Sequence, residues 1–101
     1  MDYVSSQERI KMKIAINLND RGYIHDYMDM GVSLFMVGGD YSVLTPIKYS
    51  LNDIKEIKEQ VKEIYVYVNA MYDEHDLEGL KEYIEALHQI GVDGLIFQDF
   101  G

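Results

Sequence analysis

Four short apolar segments, each followed by a polar residue or a glycine, recur along the chain and constrain its fold more than any other feature. One of them, Leu34-Phe35-Met36-Val37, is continuous, which is typical of a strand covered on both faces in a parallel sheet. Strands separated by helices of about 10–15 residues imply right-handed crossovers. The sequence therefore predicts an α/β fold, β-α-β-α-β-α-β, with a parallel sheet. The predicted strands span residues 11–19, 34–37, 64–68 and 94–97.

Residues that start and stop helices flank the predicted helical segments. Asp20 is placed to cap a first helix of about three turns, and Gly31 fits the left-handed position that closes it. Ser50 with Asp53 three residues later predicts a capping box, and Gly91 closes the third helix. The predicted apolar positions are Tyr23, Ile24, Tyr27 and Met28 in the first helix and Leu77, Leu80, Ile84 and Leu87 in the third.

The composition indicates a folded, acidic domain. Apolar residues make up 48% of the 101 residues, which is the share found in chains with a buried core. Eighteen acidic against nine basic residues give a net charge of −9, which repels phosphate backbones and anionic membranes. We therefore expect neither nucleic acid nor a membrane as a partner of this segment.

The absence of cysteine removes several kinds of chemistry. Thiolate metal ligands, iron–sulfur ligation, a cysteine nucleophile and disulfides are all excluded. Residues 1–11 lack the apolar core of a signal peptide, and no stretch approaches the roughly 18 apolar residues of a membrane helix. We predict a cytoplasmic protein with no cofactor and no metal, in which residues 1–10 are a flexible lead and residues 11–101 form one domain.

Polar residues follow all four predicted strands. In parallel α/β folds, ligands gather at the carboxyl ends of the strands. The same residue types also cap helices and satisfy loop backbone, so both interpretations stay open. The weak candidates for ligand binding are Asn17, Asn19, Gly39, Asp40, Asn69 and Asp99, and no catalytic residue is assigned.

The segment after the second strand contains the pair Gly38-Gly39, followed by a long loop with the only proline, Pro46. The pair lacks the spacing of a dinucleotide fingerprint, and no lysine lies where a P-loop needs one. A turn that passes close to the sheet explains both glycines without a nucleotide. The loop itself exceeds the usual strand-to-helix length of about 2–6 residues, and long loops often carry function.

His75 lies between Glu74 and Asp76, and imidazole with carboxylates could ligate a divalent ion. Consecutive residues rarely converge on one metal, and no histidine pair at helical spacing accompanies them. An acidic helix start that complements the helix dipole is the preferred interpretation.

The second half of the chain resembles the peptidase U32 family. Members carry a V-x-V-N strand, a polar turn, an L-x-x-Y-[LI] helix and a G-V-D strand in this order. The matching segments are Tyr65-Val66-Tyr67-Val68-Asn69-Ala70, Glu74-His75-Asp76-Leu77-Glu78-Gly79-Leu80, Tyr83-Ile84 and Gly91-Val92-Asp93-Gly94-Leu95-Ile96, with Asp99. The resemblance extends from about Gly31 to Gly101.

The resemblance implies a TIM-type (β/α) barrel, of which four strands are half, since eight units need about 250 residues. Such a half-barrel has two open sheet edges and an uncovered face. We therefore expect self-association, or pairing with a missing remainder of the barrel.

The resemblance also implies a function. We expect the amino-terminal barrel portion of a U32-type peptidase, a group related to collagen-degrading proteases. Two alternatives remain: a factor for RNA-base hydroxylation, as in some relatives, and a non-catalytic half-barrel that serves interactions. The family's cysteine-bearing signature has no counterpart here, so the catalytic part is expected outside this chain.

Overall fold

The computed structural model describes residues 13–42, 45–69 and 77–98 of the chain. The strands are β1 (Ala15–Asn17), β2 (Leu34–Gly38), β3 (Glu63–Asn69) and β4 (Gly94–Gln98), and the α-helices are α1 (Ile24–Asp29), α2 (Leu51–Lys58) and α3 (Leu77–Ile90). All neighbouring strands pair in parallel, in the order β1-β2-β3-β4. The predicted α/β class and element order are confirmed.

One face of the sheet, here the covered face, packs against the helices. The strand register aligns Ile16 with Phe35 and Ile64, and Val37 with Val66 and Leu95. These residues form one core with Ile24 of α1, Ile54 and Ile57 of α2, and Tyr83 and Leu87 of α3. Full burial of one such aliphatic side chain stabilises the fold by about 1.5–3 kcal/mol, so this single layer holds the helices on the sheet.

The opposite face, here the open face, carries the alternate residues of the same strands. Its members are Ala15, Asn17, Leu34, Met36, Tyr65, Tyr67 and Ile96. Each is exposed or only partly buried, and none belongs to the core formed by the described residues. A parallel sheet with helices on one face and partly apolar residues on the other is consistent with half of a (β/α) barrel.

The helix boundaries follow the predicted signals. The Asp20 carboxylate accepts a hydrogen bond from the Gly22 N–H at 2.9 Å, where a short 3₁₀ turn (Arg21–Tyr23) precedes α1. Ser50 and Asp53 form the predicted capping box at the start of α2. Gly31 and Gly91 have φ angles of 100° and 93°, values that only glycine adopts without strain.

The first strand-helix unit differs from its prediction. β1 has only three residues, fewer than predicted. Hydrogen bonds to β2 continue on both sides of it: the Ser33 and Leu34 N–H groups donate to the Ile14 carbonyl, and the Leu18 N–H donates to the Met36 carbonyl. The first helix is a 3₁₀ turn and six α-helical residues, shorter than three turns.

Two predicted apolar positions face solvent. Tyr23 is 54% exposed because it belongs to the 3₁₀ turn, whose period differs from that of α1, and Leu77 is 46% exposed at the first position of α3.

Several expectations concern residues outside the described ranges. These are the lead at residues 1–10, the first two residues of the predicted first strand, and the Glu74-His75-Asp76 segment. Within the described residues, no helix is both long and apolar enough to cross a membrane.

Candidate functional site

The loop after β2 folds back over the carboxyl edge of the sheet. Lys48 forms a parallel bridge with Gly38, and the Tyr49 N–H donates to the Gly38 carbonyl at 2.9 Å. A Cβ on Gly38 would collide with the Thr45 side chain and lie 2.9 Å from the Ile47 carbonyl. A glycine is therefore required here by the returning loop, as the sequence predicted.

Ser42 fixes the start of this loop to the neighbouring strand. Its hydroxyl accepts the Gly39 N–H at 2.9 Å and donates to the Tyr67 carbonyl at 2.8 Å. The side chain is buried and both hydrogen-bonding capacities are used, so the end of β2 and the end of β3 are held together.

A cavity of about 140 Å³ lies at the carboxyl ends of β1, β2 and β3, under the returning loop. It is lined by Asn17, Leu18, Asn19, Met36, Gly38, Thr45, Pro46 and Tyr67. This is the edge at which parallel α/β folds bind ligands. None of these described side chains carries a charge.

Tyr67 and Asn17 join the two sides of the cavity. The Tyr67 hydroxyl donates to the Asn17 Oδ1 at 2.6 Å and lies 3.5 Å from the Met36 sulfur. Both residues belong to the open face, and the parallel register brings them together across β2.

Thr45 contributes a second polar group. Its Oγ1 atom is buried and has no hydrogen-bond partner among the described residues. Leaving such a group without a partner costs about 1–3 kcal/mol. The atom is packed against Gly38 and is closed to a ligand in the cavity.

Arg21 lies in the loop after β1 but does not line the cavity. Its guanidinium binds Asp53 at 3.0 Å and Glu56 at 2.9 Å, both on α2. Hydrogen bonds from the backbone and side chain of Ser50, and then the Arg21 charge, hold the pKa of Asp53 below its ordinary value. This cation therefore stabilises the position of α2 and is not directed at a ligand.

The predicted site residues lie in different places. Asn17 and Asn19 line the cavity together. Gly39 and Asp40 follow β2 and do not line the cavity, and the Tyr83 hydroxyl lies so close to Gly39 that a Cβ would collide with it. Asn69 ends β3 opposite Gln98. Asp99 lies outside the described residues.

Sequence reasoning did not assign a site role to Tyr67 or Thr45. Tyr67 could have been found, because in a parallel sheet the alternation of β3 places it on the same face as the end of β1. Thr45 depends on how the long loop folds back, for which the sequence carries no periodic signal.

The described residues of the cavity offer groups that can bind a neutral ligand. Among residues 13–42, 45–69 and 77–98, no three His, Asp or Glu side chains converge on a point where a metal could lie. The cavity offers amide and hydroxyl groups together with the apolar surfaces of Leu18, Met36 and Pro46. Such a lining can orient a neutral polar group.

Comparison with known proteins identifies the family. The family model for peptidase family U32 matches residues 48–101, which is more than half of the chain and runs from the returning loop through β4. No curated protein and no solved structure gives a significant match. The chain belongs to peptidase family U32.

Proposed function

We propose that this chain takes part in proteolysis and that it binds the polypeptide substrate at the carboxyl edge of its sheet. The family match over residues 48–101 is the observation that carries the proposal. The cavity supports it, because its position is that of substrate sites in parallel α/β folds.

The lining of the cavity is chemically suited to a peptide. A peptide group is neutral and presents one acceptor and one donor. The side-chain amides of Asn17 and Asn19 supply a donor and an acceptor for such a group, and none of the described lining residues places a charge against it. We assign substrate binding and orientation to these residues and leave the hydrolytic groups to other parts of the peptidase.

The first test measures cleavage and binding separately, using the whole chain. Gelatin and casein are incubated with the protein, and new peptide termini are sought by mass spectrometry; none is expected, because the hydrolytic groups are assigned to other parts of the peptidase. Binding of a casein digest is followed by amide chemical shifts. We expect digest peptides to shift the resonances of Asn17, Asn19 and Thr45.

A pair of variants provides the control. Asn17→Ala removes a cavity amide and should weaken digest binding roughly tenfold, the equivalent of about 1.4 kcal/mol. Asn52→Ala removes an exposed amide on α2, outside the cavity, and should leave binding unchanged. Absence of any shift with gelatin or casein peptides would contradict peptide binding by this edge.

A further inference from the structure

The strands of the sheet are staggered, and the register allows the stagger to be counted. Asn17 of β1 is aligned with Met36 of β2. Met36 is aligned with Tyr65 of β3, and Tyr65 with Gly94 of β4. Asn17 is the last residue of β1, whereas Gly94 is the first residue of β4. A path along paired residues therefore begins at the carboxyl edge of the sheet and reaches its amino edge.

Stagger of this kind is what allows a parallel sheet to close into a barrel. In an eight-stranded (β/α) barrel the shear is eight, so a path along paired residues returns to its first strand eight residues from where it began. Two identical sheets of four strands must each contribute half of that displacement, which is four residues. Gly94 would then lie beside a residue four positions before or after Asn17 in a second copy of the chain.

Only one of these two residues can lie in the seam, the contact at which β4 of one copy is placed beside β1 of the other. Four positions after Asn17 is Arg21, which begins the 3₁₀ turn and is bound to two carboxylates of α2. Four positions before Asn17 is Lys13, two residues ahead of β1. The seam therefore has a single register, in which Gly94 lies beside Lys13 of the second copy.

The register that follows from the stagger alone also matches the two surfaces. It pairs Ile14 with Leu95, Ala15 with Ile96, Ile16 with Phe97 and Asn17 with Gln98. The last residues of β1 and β4 become level, so the carboxyl ends of all eight strands form one rim. Ile16 and Phe97 both belong to the covered face, whereas Ala15 and Ile96 both belong to the open face.

The covered face is apolar on both sides of this seam. Phe97 is exposed, and Leu95 is only partly buried against the core. On β1, Ile14 and Ile16 are likewise partly buried. A second cavity of about 140 Å³ lies between α3 and β4, with Leu95 in its wall beside Ile84, Leu87, His88, Val92 and Gly94. Contact with Ile14 and Ile16 of a second copy would remove this apolar surface from water, which favours association.

We propose that two copies of the chain close into one eight-stranded parallel barrel, with β4 of each copy paired to β1 of the other in this register. Among the described strands, β1 and β4 are the two edges, and the seams give the backbone N–H and C=O groups of both a partner. The register follows from the strands alone and does not rest on the proposed function.

The second copy also completes the surroundings of the candidate site. The carboxyl end of its β4 lies beside Asn17, which lines the cavity at the carboxyl edge. The single rim of the barrel then carries two such cavities, one from each copy, related by the twofold axis. A ligand at this rim meets residues of both copies.

Disulfide trapping tests the register, because the chain has no cysteine of its own. Ala15→Cys and Ile96→Cys, introduced into the same full chain, place thiols on the open face at paired positions of the seam. Neighbouring strands lie about 4.8 Å apart, within the Cα–Cα range of about 4.4–6.8 Å that a disulfide spans. Within one chain β2 and β3 separate the two positions, so a bond must join two copies. We expect mild oxidation to convert most of the protein to a covalent dimer.

Asn17→Cys with Ile96→Cys is the matched control. Both thiols stay on the open face, but they are displaced by two residues along the strands, which puts their Cα atoms about 8 Å apart. A disulfide cannot bridge more than about 7 Å without movement of the backbone. We expect this pair to form at least about tenfold less covalent dimer than the paired positions under the same oxidation.

Four results would overturn the proposal. Equal trapping of both pairs would indicate random collision, and preferential trapping of the control pair would indicate a different register. A ladder of trimers and larger species would show that the sheets associate without closing. The unmodified chain gives a readout that does not depend on how the variants fold: its mass in solution should reach that of two chains as the concentration rises. A mass that stays at one chain or continues beyond two would contradict a closed pair.

Discussion

Gly39 shows how a residue that suggested a ligand site can serve packing instead. The Tyr83 hydroxyl, on α3, lies in contact with Gly39 at the end of β2, where any Cβ would collide with it. Tyr83 is buried, and its hydroxyl makes no well-formed hydrogen bond with the described residues. The close approach of helix and strand therefore depends on the missing side chain.

We predict that Gly39→Ala destabilises the fold by about 1–3 kcal/mol, the usual cost of overpacking a core. Tyr83→Phe removes the colliding oxygen and leaves the ring carbon Cζ 3.2 Å from the added Cβ, so the double variant should recover much of the loss. Chemical denaturation of the wild type, both single variants and the double variant gives the coupling energy. Additive losses would show that the contact does not limit position 39.

Tyr83 also predicts a loss of stability in alkaline solution. Burial raises the pKa of Tyr83 to about 12, whereas an unfolded tyrosine ionises near pH 10. The neutral phenol is therefore favoured in the folded state, and its contribution is complete below about pH 10 and is lost as the pH rises toward about 12.

The measurement compares the free energy of unfolding of the wild type and of Tyr83→Phe at about pH 8 and about pH 11. At the higher pH, Tyr83 ionises in the unfolded state but stays neutral in the folded state. The wild type should lose more stability than the variant, because the other tyrosines are common to both. Equal losses would mean that Tyr83 is accessible to hydroxide in the folded state.

At the scale of elements, one carboxylate connects a helix to two strands. Asp93, just before β4, accepts from the Lys58 ammonium of α2 at 2.8 Å and from the Ile64 N–H of β3 at 2.9 Å. Partial burial by itself would raise the pKa of Asp93, but these two hydrogen bonds outweigh it and hold the pKa below the ordinary value. The start of β4 is thereby fixed to both neighbours.

Asp93→Ala should destabilise the fold by about 1–3 kcal/mol, because the Ile64 N–H loses its acceptor and the Lys58 ammonium keeps only the Lys62 carbonyl. The carboxylate stabilises the fold above its unfolded pKa of about 3.9, and this contribution is lost as the pH falls through the lower folded value. The difference between wild type and variant should therefore shrink on acidification. Asp29→Ala, at an exposed residue of α1, is the control and should change stability by less than about 0.5 kcal/mol.

The elements that the sequence predicted well are those with local signals. The helix ends were predicted correctly from Ser50 with Asp53 and from Gly31 and Gly91. Capping and left-handed backbone depend on residues only a few positions apart, so the sequence shows them directly. The length of β1 and the fold of the loop carrying Thr45 depend on contacts distant in sequence. The same distinction applies to the site: the sequence places Asn17 at the end of a strand, but its partner Tyr67 is set by the register between strands.

At the scale of the whole molecule, the open face of the sheet has no described helix packed on it. Tyr65 and Ile96 lie on it, and the Tyr65 ring packs against Gly94 of β4. Among the described strands, β1 and β4 each have one neighbour, and Phe97 of β4, on the covered face, is 57% exposed. Unpaired edges and apolar surface of this kind favour association with further strands.

A second copy of the chain is the partner that we expect in a solution of the isolated protein. A twofold axis along the strands would set β4 of each copy beside β1 of the other, so that all strands remain parallel and both open faces turn inward. The net charge of −9 opposes this contact, and salt screens such repulsion, with a Debye length of about 10 Å at 0.1 M. Association should therefore strengthen with ionic strength.

Ile96→Lys places a charge on the open face and should lower the molecular mass in solution toward that of one chain, because burying an unpaired ammonium costs more than the contact gains. Ile47→Lys introduces the same change at a residue of the returning loop that is already 40% exposed and should leave the mass unchanged. Light scattering at several concentrations and two salt levels measures both.

A wild type that remains a monodisperse monomer throughout would contradict self-association, as would an Ile96→Lys protein that associates like the wild type. Loss of association in Ile96→Lys, but not in Ile47→Lys, would identify the open face as the contact surface. The open face would then also be the side of the sheet that lines the interior of a complete barrel.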